Sequence, residues 1–153
     1  MSAALAFHLD RSPALEAIRA LYAAAPLRRP VHEPDRIRRM FEAANVVISA
    51  YDGDRLVGLL RGWTDFAYDG YVCDLAVHPA YQKAGVGRGL LDRALALGEG
   101  VQWVLLASPI AKDYYAHVGW EKVENGWKVT RDGWNPGSLA EYQAQHADLA
   151  ARA

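Results

Sequence analysis

The residues of this chain whose types and spacing can do chemistry stand together in Gln82-Lys83-Ala84-Gly85-Val86-Gly87-Arg88. Glycines at 85 and 87 carry no Cβ, so main-chain N–H groups there can come close to a ligand. An apolar series with helical spacing follows, Leu90, Leu91, Ala94 and Leu95. The first N–H groups of such a helix have no internal partner and carry about half a positive charge. A glycine turn opening a helix is therefore an anion site, most naturally for phosphate, although the same turn can simply reverse the chain. Two other phosphate loops are excluded. The pattern G-x-G-x-x-G needs glycine where Leu90 stands, and a P-loop needs Gly-Lys followed by Ser or Thr. Lys83 and Arg88 can add positive charge or stand as solvated surface cations.

The elements that must position this loop follow from periodicity. Tyr71–Val77 before it and Val101–Leu106 after the helix read as strands, and strand, helix, strand implies a parallel pair. Upstream, Val46–Tyr51 and Arg55–Leu60 flank Asp52-Gly53, a strong hairpin signal, and Asp69-Gly70 marks a second turn into Tyr71–Val77. Leu5–Leu9 predicts a short strand. Ser12-Pro13 predicts the start of a helix bearing Leu15, Ile18, Tyr22 and Ala25, and Pro34 starts another bearing Ile37, Met40, Phe41 and Ala44. Past the parallel pair, a short helix over Ala111–Val118 ends at Gly119, two strands are expected near Trp120–Val123 and Trp127–Arg131, and residues 132–153 form a helical or frayed tail. The expected fold is one α/β domain over 1–153, with a mixed sheet flanked by helices and splayed where Tyr71–Val77 parts from Val101–Leu106.

Composition limits what the site can serve. With 153 residues and 52% hydrophobic content the chain can bury one sizeable core. A net charge of -1 offers no global field for nucleic acid or an anionic membrane. Cys73 is the only cysteine, so no intrachain disulfide or cysteine-rich zinc site can form, which fits a reducing, cytoplasmic setting. No apolar run of about 18 residues reads as a membrane span, and the five histidines show no metal-ligand spacing, so no metal is expected.

The stretch from Leu75 to Gly87 resembles the GCN5-related N-acetyltransferase (GNAT) family, whose signature Q/R-x-x-G-x-G/A follows a strand ending in an L-x-V pattern and a proline. Here these are Leu75, Val77, Pro79, Gln82, Gly85 and Gly87. A second family signature is matched by Ala111, Tyr114, Tyr115, Gly119 and Trp120, and the order of elements agrees up to about Arg131. The resemblance implies acyl transfer, an acetyl group passing from acetyl-coenzyme A directly to a primary amine of a small molecule or peptide. Gln82, Lys83, Ala84, Gly85, Val86, Gly87 and Arg88 would cradle the pyrophosphate. The main chain of Leu75, Ala76 and Val77 would pair with the pantetheine arm, and Ser108 stands where the family often has Asn. Tyr115 would protonate the leaving thiolate; as a tyrosine of ordinary pKa, about 10, it would give an alkaline fall in rate near pH 9 to 10.

Many members carry a Glu or His on the central strand, at positions matching Tyr71 and Cys73, neither of which is a base at neutral pH. Strand alternation aims Asp74 away from both, as a structural residue. The acceptor side is expected at Tyr71, Cys73 and Trp63, with Arg28 and Arg29 in the helix connection able to meet a carboxylate or phosphate. The aromatics around Trp63 can equally be cross-strand packing. The missing acid keeps a second reading open, a noncatalytic acyl-coenzyme A sensor or interaction module. The tail and sheet edges allow a homodimer.

Overall fold

A computed structural model describes residues 4–153. Strands β1 (Ala6–His8), β2 (Val46–Asp52), β3 (Arg55–Thr64), β4 (Asp69–Val77) and β5 (Gln102–Leu105) form one sheet in the order β1-β2-β3-β4-β5. All neighbours are antiparallel except β4 and β5, the parallel pair required by the helix between them, α3 (Val86–Leu95). Helices α1 (Leu15–Ala24) and α2 (Pro34–Ala43) cover one face, where Ile18, Leu21, Tyr22, Val31, Ile37, Leu59 and Ala76 make one core cluster. Helix α3 covers the other, packing Val86, Leu90, Leu91 and Ala94 on Val46, Ile48, Leu60, Val72 and Trp103. The mixed sheet flanked by helices is thus as expected, and no helix of the described residues is long and apolar enough to cross a membrane.

Three local expectations are corrected. Helix α1 starts after Ala14, and the Ser12 side chain does not cap it. Asp69 and Gly70 lie inside β4; the reversal sits at Asp65–Tyr68, where the Asp65 carboxylate accepts from the N–H groups of Ala67, Tyr68 and Asp69 (2.9, 2.7 and 3.1 Å) and carries Phe66 at φ 61°. An aspartate side chain has replaced the glycine such a turn would otherwise need. The strands expected at Trp120–Val123 and Trp127–Arg131 are not formed: among the described residues, no main-chain hydrogen bond joins 121–136 to another peptide group. Alternation alone does not make a strand, because a ribbon without a neighbouring edge is marginal in water.

The tail is helical and docked. Ser138 and Glu141 form a reciprocal capping box at the start of α5 (Leu139–Gln145), and α6 (Ala147–Ala150) follows. Tyr142 is buried, its hydroxyl 2.9 Å from the carbonyl of Leu27 and 3.1 Å from that of Arg29. The tail therefore fixes the connection between α1 and α2.

A buried carboxylate joins the layers. Asp74 on β4 accepts from Arg61 Nε on β3 (2.6 Å), from Arg29 Nε in the α1–α2 connection (2.7 Å) and from the Tyr22 hydroxyl on α1 (2.9 Å). Burial raises its pKa, but Arg29 and Arg61 override this and hold it below the usual carboxylate value. Its stabilising contribution is therefore present above about pH 4 and lost as pH falls through the lowered folded value. Asp74→Ala would leave Arg61 buried without its anion, so urea unfolding at pH 7 should show a loss of about 3–5 kcal/mol, shrinking in acid. Tyr22→Phe, losing one bond to the charged group, should cost about 1.5–3 kcal/mol.

Candidate active site

Between β4 and α3 the chain makes a short turn over Pro79–Tyr81, with His78 Nδ1 accepting from the Ala80 N–H (3.1 Å), and then the exposed loop Gln82–Gly85. Lys83 (φ 68°) and Gly85 (φ 81°) are both left-handed. A Cβ on Gly85 would meet nothing within 4 Å, so this glycine is demanded by its backbone angle rather than by crowding, and the space beside it is open. The first turn of α3 closes with Gly89 N–H to Gly85 O (2.9 Å), leaving the N–H groups of Val86, Gly87 and Arg88 at the helix start without intrahelical partners. Gly87 is glycine for closeness: a Cβ there would stand 2.6 Å from the Tyr114 hydroxyl.

Beside this loop the sheet opens. β5 pairs only with Asp69–Val72 of β4. Beyond that point Leu75, Ala76 and Val77 keep β3 on one edge, opposite Leu60, Leu59 and Gly58, while their other edge faces no strand. The register slips where Arg61 faces Asp74 and Gly62 faces Val72, so Cys73 is an extra residue, a bulge. Gly62 permits it, since a Cβ there would lie 2.3 Å from the Tyr71 carbonyl oxygen. The bulge also reverses the face of every residue beyond it. Val72 packs with the α3 cluster and so do Leu75 and Val77, whereas Asp74 and Ala76 turn to the α1 side. Simple alternation, which sets Asp74 apart from Tyr71, fails for this reason: with Cys73 as the extra residue, Tyr71 and Asp74 fall on the same side of the sheet.

None of Tyr71, Cys73 and Asp74 is an ordinary base here. Asp74 is spent on two guanidiniums. Burial pushes the Cys73 thiol and the Tyr71 hydroxyl above their usual values, so both stay protonated at neutral pH. On the α3 side, Tyr115 packs on the core cluster with Trp120 beside it, and burial pushes its pKa up to about 12. It makes no hydrogen bond among the described residues, yet the one enclosed unpartnered side-chain atom is Trp103 Nε1. The Tyr115 hydroxyl is therefore a protonated donor with access to solvent-sized space.

A family model for the acetyltransferase (GNAT) domain matches residues 18–134. The chain belongs to this family. It is 28% identical over 100 residues to an uncharacterized N-acetyltransferase ycf52-like protein of Prochlorococcus marinus, covering 61% of this chain and 54% of that one, so it spans about half the length of that relative. Its fold matches a probable acetyltransferase of meticillin-resistant Staphylococcus aureus with TM-score 0.72 at 21% identity, over 86% of this chain and all of the other. It also matches aminoglycoside N-acetyltransferase AAC(6')-Iy in complex with CoA, with TM-score 0.65 at 14% identity, over 87% of this chain and 98% of that one.

Within this GNAT domain the sequence-predicted residues divide. Leu75–Val77 and Gln82–Arg88 adjoin where the sheet opens, and Tyr115 packs on the same α3-side core cluster as Leu75 and Val77. Ser108 begins the turn Pro109–Ala111, its side chain free of any cap. Trp63 faces Tyr71 across β3 and β4 and donates to the Ala43 carbonyl (2.8 Å), so its indole is anchored, and both residues line a cavity of about 340 Å³ with Asp65, Asp69 and Val104. Arg28 and Arg29 are not a free anion clamp. Arg28 donates to the Gly137 carbonyl (2.9 Å), and Arg29, besides Asp74, donates to the Cys73 carbonyl (3.0 Å) and braces the bulge. Tyr114, matched in the second signature but given no site role there, brings its hydroxyl from α4 (Tyr114–His117) to Gly87, and Arg131, which the sequence reading left aside, counters the rise that burial gives the Tyr71 hydroxyl.

The left-handed angle at Gly85 gives a direct check. Gly85→Ala should cost about 1–2 kcal/mol in urea unfolding, and Gly85→Asn, which tolerates that angle, distinctly less.

Proposed function

We propose that this GNAT domain transfers an acetyl group from acetyl-coenzyme A to a primary amine. The observation that carries the reading is the junction of two main-chain surfaces: the unpaired edge of Leu75–Val77 runs into the free N–H groups at the start of α3. The donor set suits a long ligand with an amide-bearing arm and a pyrophosphate, since strand edges pair amides and helix starts bind phosphate. The solved likeness in complex with CoA supports the same ligand class. When bound, the coenzyme supplies a thioester whose carbonyl carbon an amine attacks and whose sulfur leaves as thiolate.

The chain's own residues do the rest. Main-chain N–H groups along Leu75–Val77 stabilise negative charge on the carbonyl oxygen. Tyr115 gives a proton to the departing sulfur. The amine nitrogen arrives neutral, because none of Tyr71, Cys73 and Asp74 removes its proton, and the proton it releases after attack goes to water. The thiol of Cys73 takes no part, being held protonated by burial. A noncatalytic acyl-coenzyme A sensor is the second reading, favoured by the neutralisation of Asp74; release of thiol with any amine in a panel excludes it.

Gly87→Asp sets bulk and negative charge in the loop, so calorimetry should show coenzyme A affinity falling at least about tenfold in a folded variant. Unchanged affinity would remove the loop from the site. Tyr115→Phe should slow the chemical step by about 10², the low end for general acid help because a thiolate leaves easily, with coenzyme affinity unaltered. For a lysine-like amine of pKa about 10.4 the wild-type rate should climb about tenfold per pH unit from pH 7 to 9. The alkaline fall expected of an ordinary tyrosine should be absent below about pH 10, because Tyr115 is pushed up to about 12. A rate that is flat across pH 7 to 9 with chemistry limiting would contradict the neutral-amine step.

A further inference from the structure

Tyr114 and Tyr115 stand side by side at the start of α4, and the proposed reaction uses only Tyr115. Tyr114 is half-buried on the α3 core cluster, its ring edge-on to Tyr115 with centroids 5.4 Å apart. The ring alone would serve that packing; the oxygen needs a reason of its own. A tyrosine hydroxyl at this depth normally finds a partner, as those of Tyr22, Tyr81 and Tyr142 do on a carboxylate or a carbonyl. That of Tyr114 makes no hydrogen bond among the described residues, and it is not sealed in, since the one enclosed unpartnered side-chain atom is Trp103 Nε1. Instead it occupies the room left by the missing side chain of Gly87, 2.6 Å from where a Cβ would stand.

Its position gives the hydroxyl a use. Gly87 is the middle one of the three residues at the start of α3 whose N–H groups lack intrahelical partners, so the Tyr114 oxygen lies within about 5 Å of the Gly87 nitrogen. A phosphate accepting from that N–H at about 2.9 Å presents further oxygens within reach of the hydroxyl. Resting on the reading that this loop holds the coenzyme, we propose that Tyr114 donates its hydroxyl hydrogen bond to a pyrophosphate oxygen, a side-chain donor added to the main-chain cradle. The glycine at 87 is then the place made for that donor. Burial lifts the pKa of the hydroxyl, Arg88 opposes the rise and Asp92 adds to it, so the O–H keeps its proton at neutral pH. Asp92 is itself paired with Arg88 at 3.8 Å, which limits its repulsion of a phosphate. The neighbouring tyrosines thus divide the coenzyme, Tyr115 serving the thiolate and Tyr114 the phosphates.

Calorimetry of coenzyme A binding to the whole chain tests this without turnover, for a catalyst and a sensor alike. Tyr114→Phe keeps the ring, so thermal melting should change little while coenzyme A affinity falls about tenfold. Tyr115→Phe, which also removes one hydroxyl from α4, should leave the affinity unaltered. A stability cycle places the oxygen. Alanine is favoured over glycine within a helix, so Gly87→Ala should raise the urea midpoint in the Tyr114→Phe background, and raise it less or lower it where the wild-type hydroxyl stands in its way. The double variant puts a methyl group where the oxygen was and restores no donor, so its coenzyme A affinity should stay low. Unchanged affinity in folded Tyr114→Phe, with Gly87→Asp still losing at least about tenfold, overturns the proposal and leaves the loop as the phosphate site. Unchanged affinity in Gly87→Asp overturns both. Recovery of affinity in the double variant shows that the space needed filling and not a donor, and an equal effect of Gly87→Ala in the two backgrounds shows that the hydroxyl is not at Gly87; either result overturns the proposal as well.

Discussion

The buried charge of Asp74 is the constraint on which the rest of this structure turns. A carboxylate shut away from water is tolerated only when paired and hydrogen-bonded, and here the partners come from three other places: α1, the α1–α2 connection and β3. Meeting that demand orders the site. Arg61 and Asp74 face each other at the first regular pair after the β4 bulge, and the guanidinium that reaches Asp74 from Arg29 also takes the Cys73 carbonyl that the bulge displaces. Tyr142 then holds the main chain of Leu27 and Arg29, so the tail secures the arm that secures the bulge. Remove the carboxylate and the bulge loses its brace just where β4 must part from β5.

Recognition by main chain, as proposed for the loop, explains how little its side chains reveal. Between Gln82 and Gly87 the requirement is for peptide N–H groups in a particular curve, met by left-handed angles at Lys83 and Gly85 and by the absence of a Cβ at Gly87. The fold as a whole is shared at a TM-score of 0.72 with only 21% identity.

What could be read in the sequence was what is local. The Asp52-Gly53 hairpin, the glycine loop, α3 and the parallel pair depend on residues close in the chain, and all formed as expected. Long-range pairings were hidden: Arg29 meets Asp74 across 45 positions and Tyr142 meets Leu27 across 115. No periodicity announces such contacts, and Arg28 and Arg29 therefore looked like open cations. The bulge at Cys73 was hidden differently, because one inserted residue inverts every later side chain and defeats period-two reasoning. The strand pattern of 120–131 is legible and unmet within one chain, since pairing depends on an edge the pattern cannot specify.

The same cluster bears on how an amine could react without a base. Asp74 is one negative charge between two guanidiniums, so the cluster keeps one positive charge, and the Arg29 side chain is still 30% exposed. In the proposed reaction a like charge disfavours the protonated form of a bound amine, lowering its pKa. Each unit lowered raises the neutral fraction tenfold at neutral pH. A side-chain base would instead bind the ammonium form and then need to pull its proton away. The residual charge thus selects the reactive form at the binding step, and the absence of Glu or His at Tyr71 and Cys73 becomes compatible with turnover.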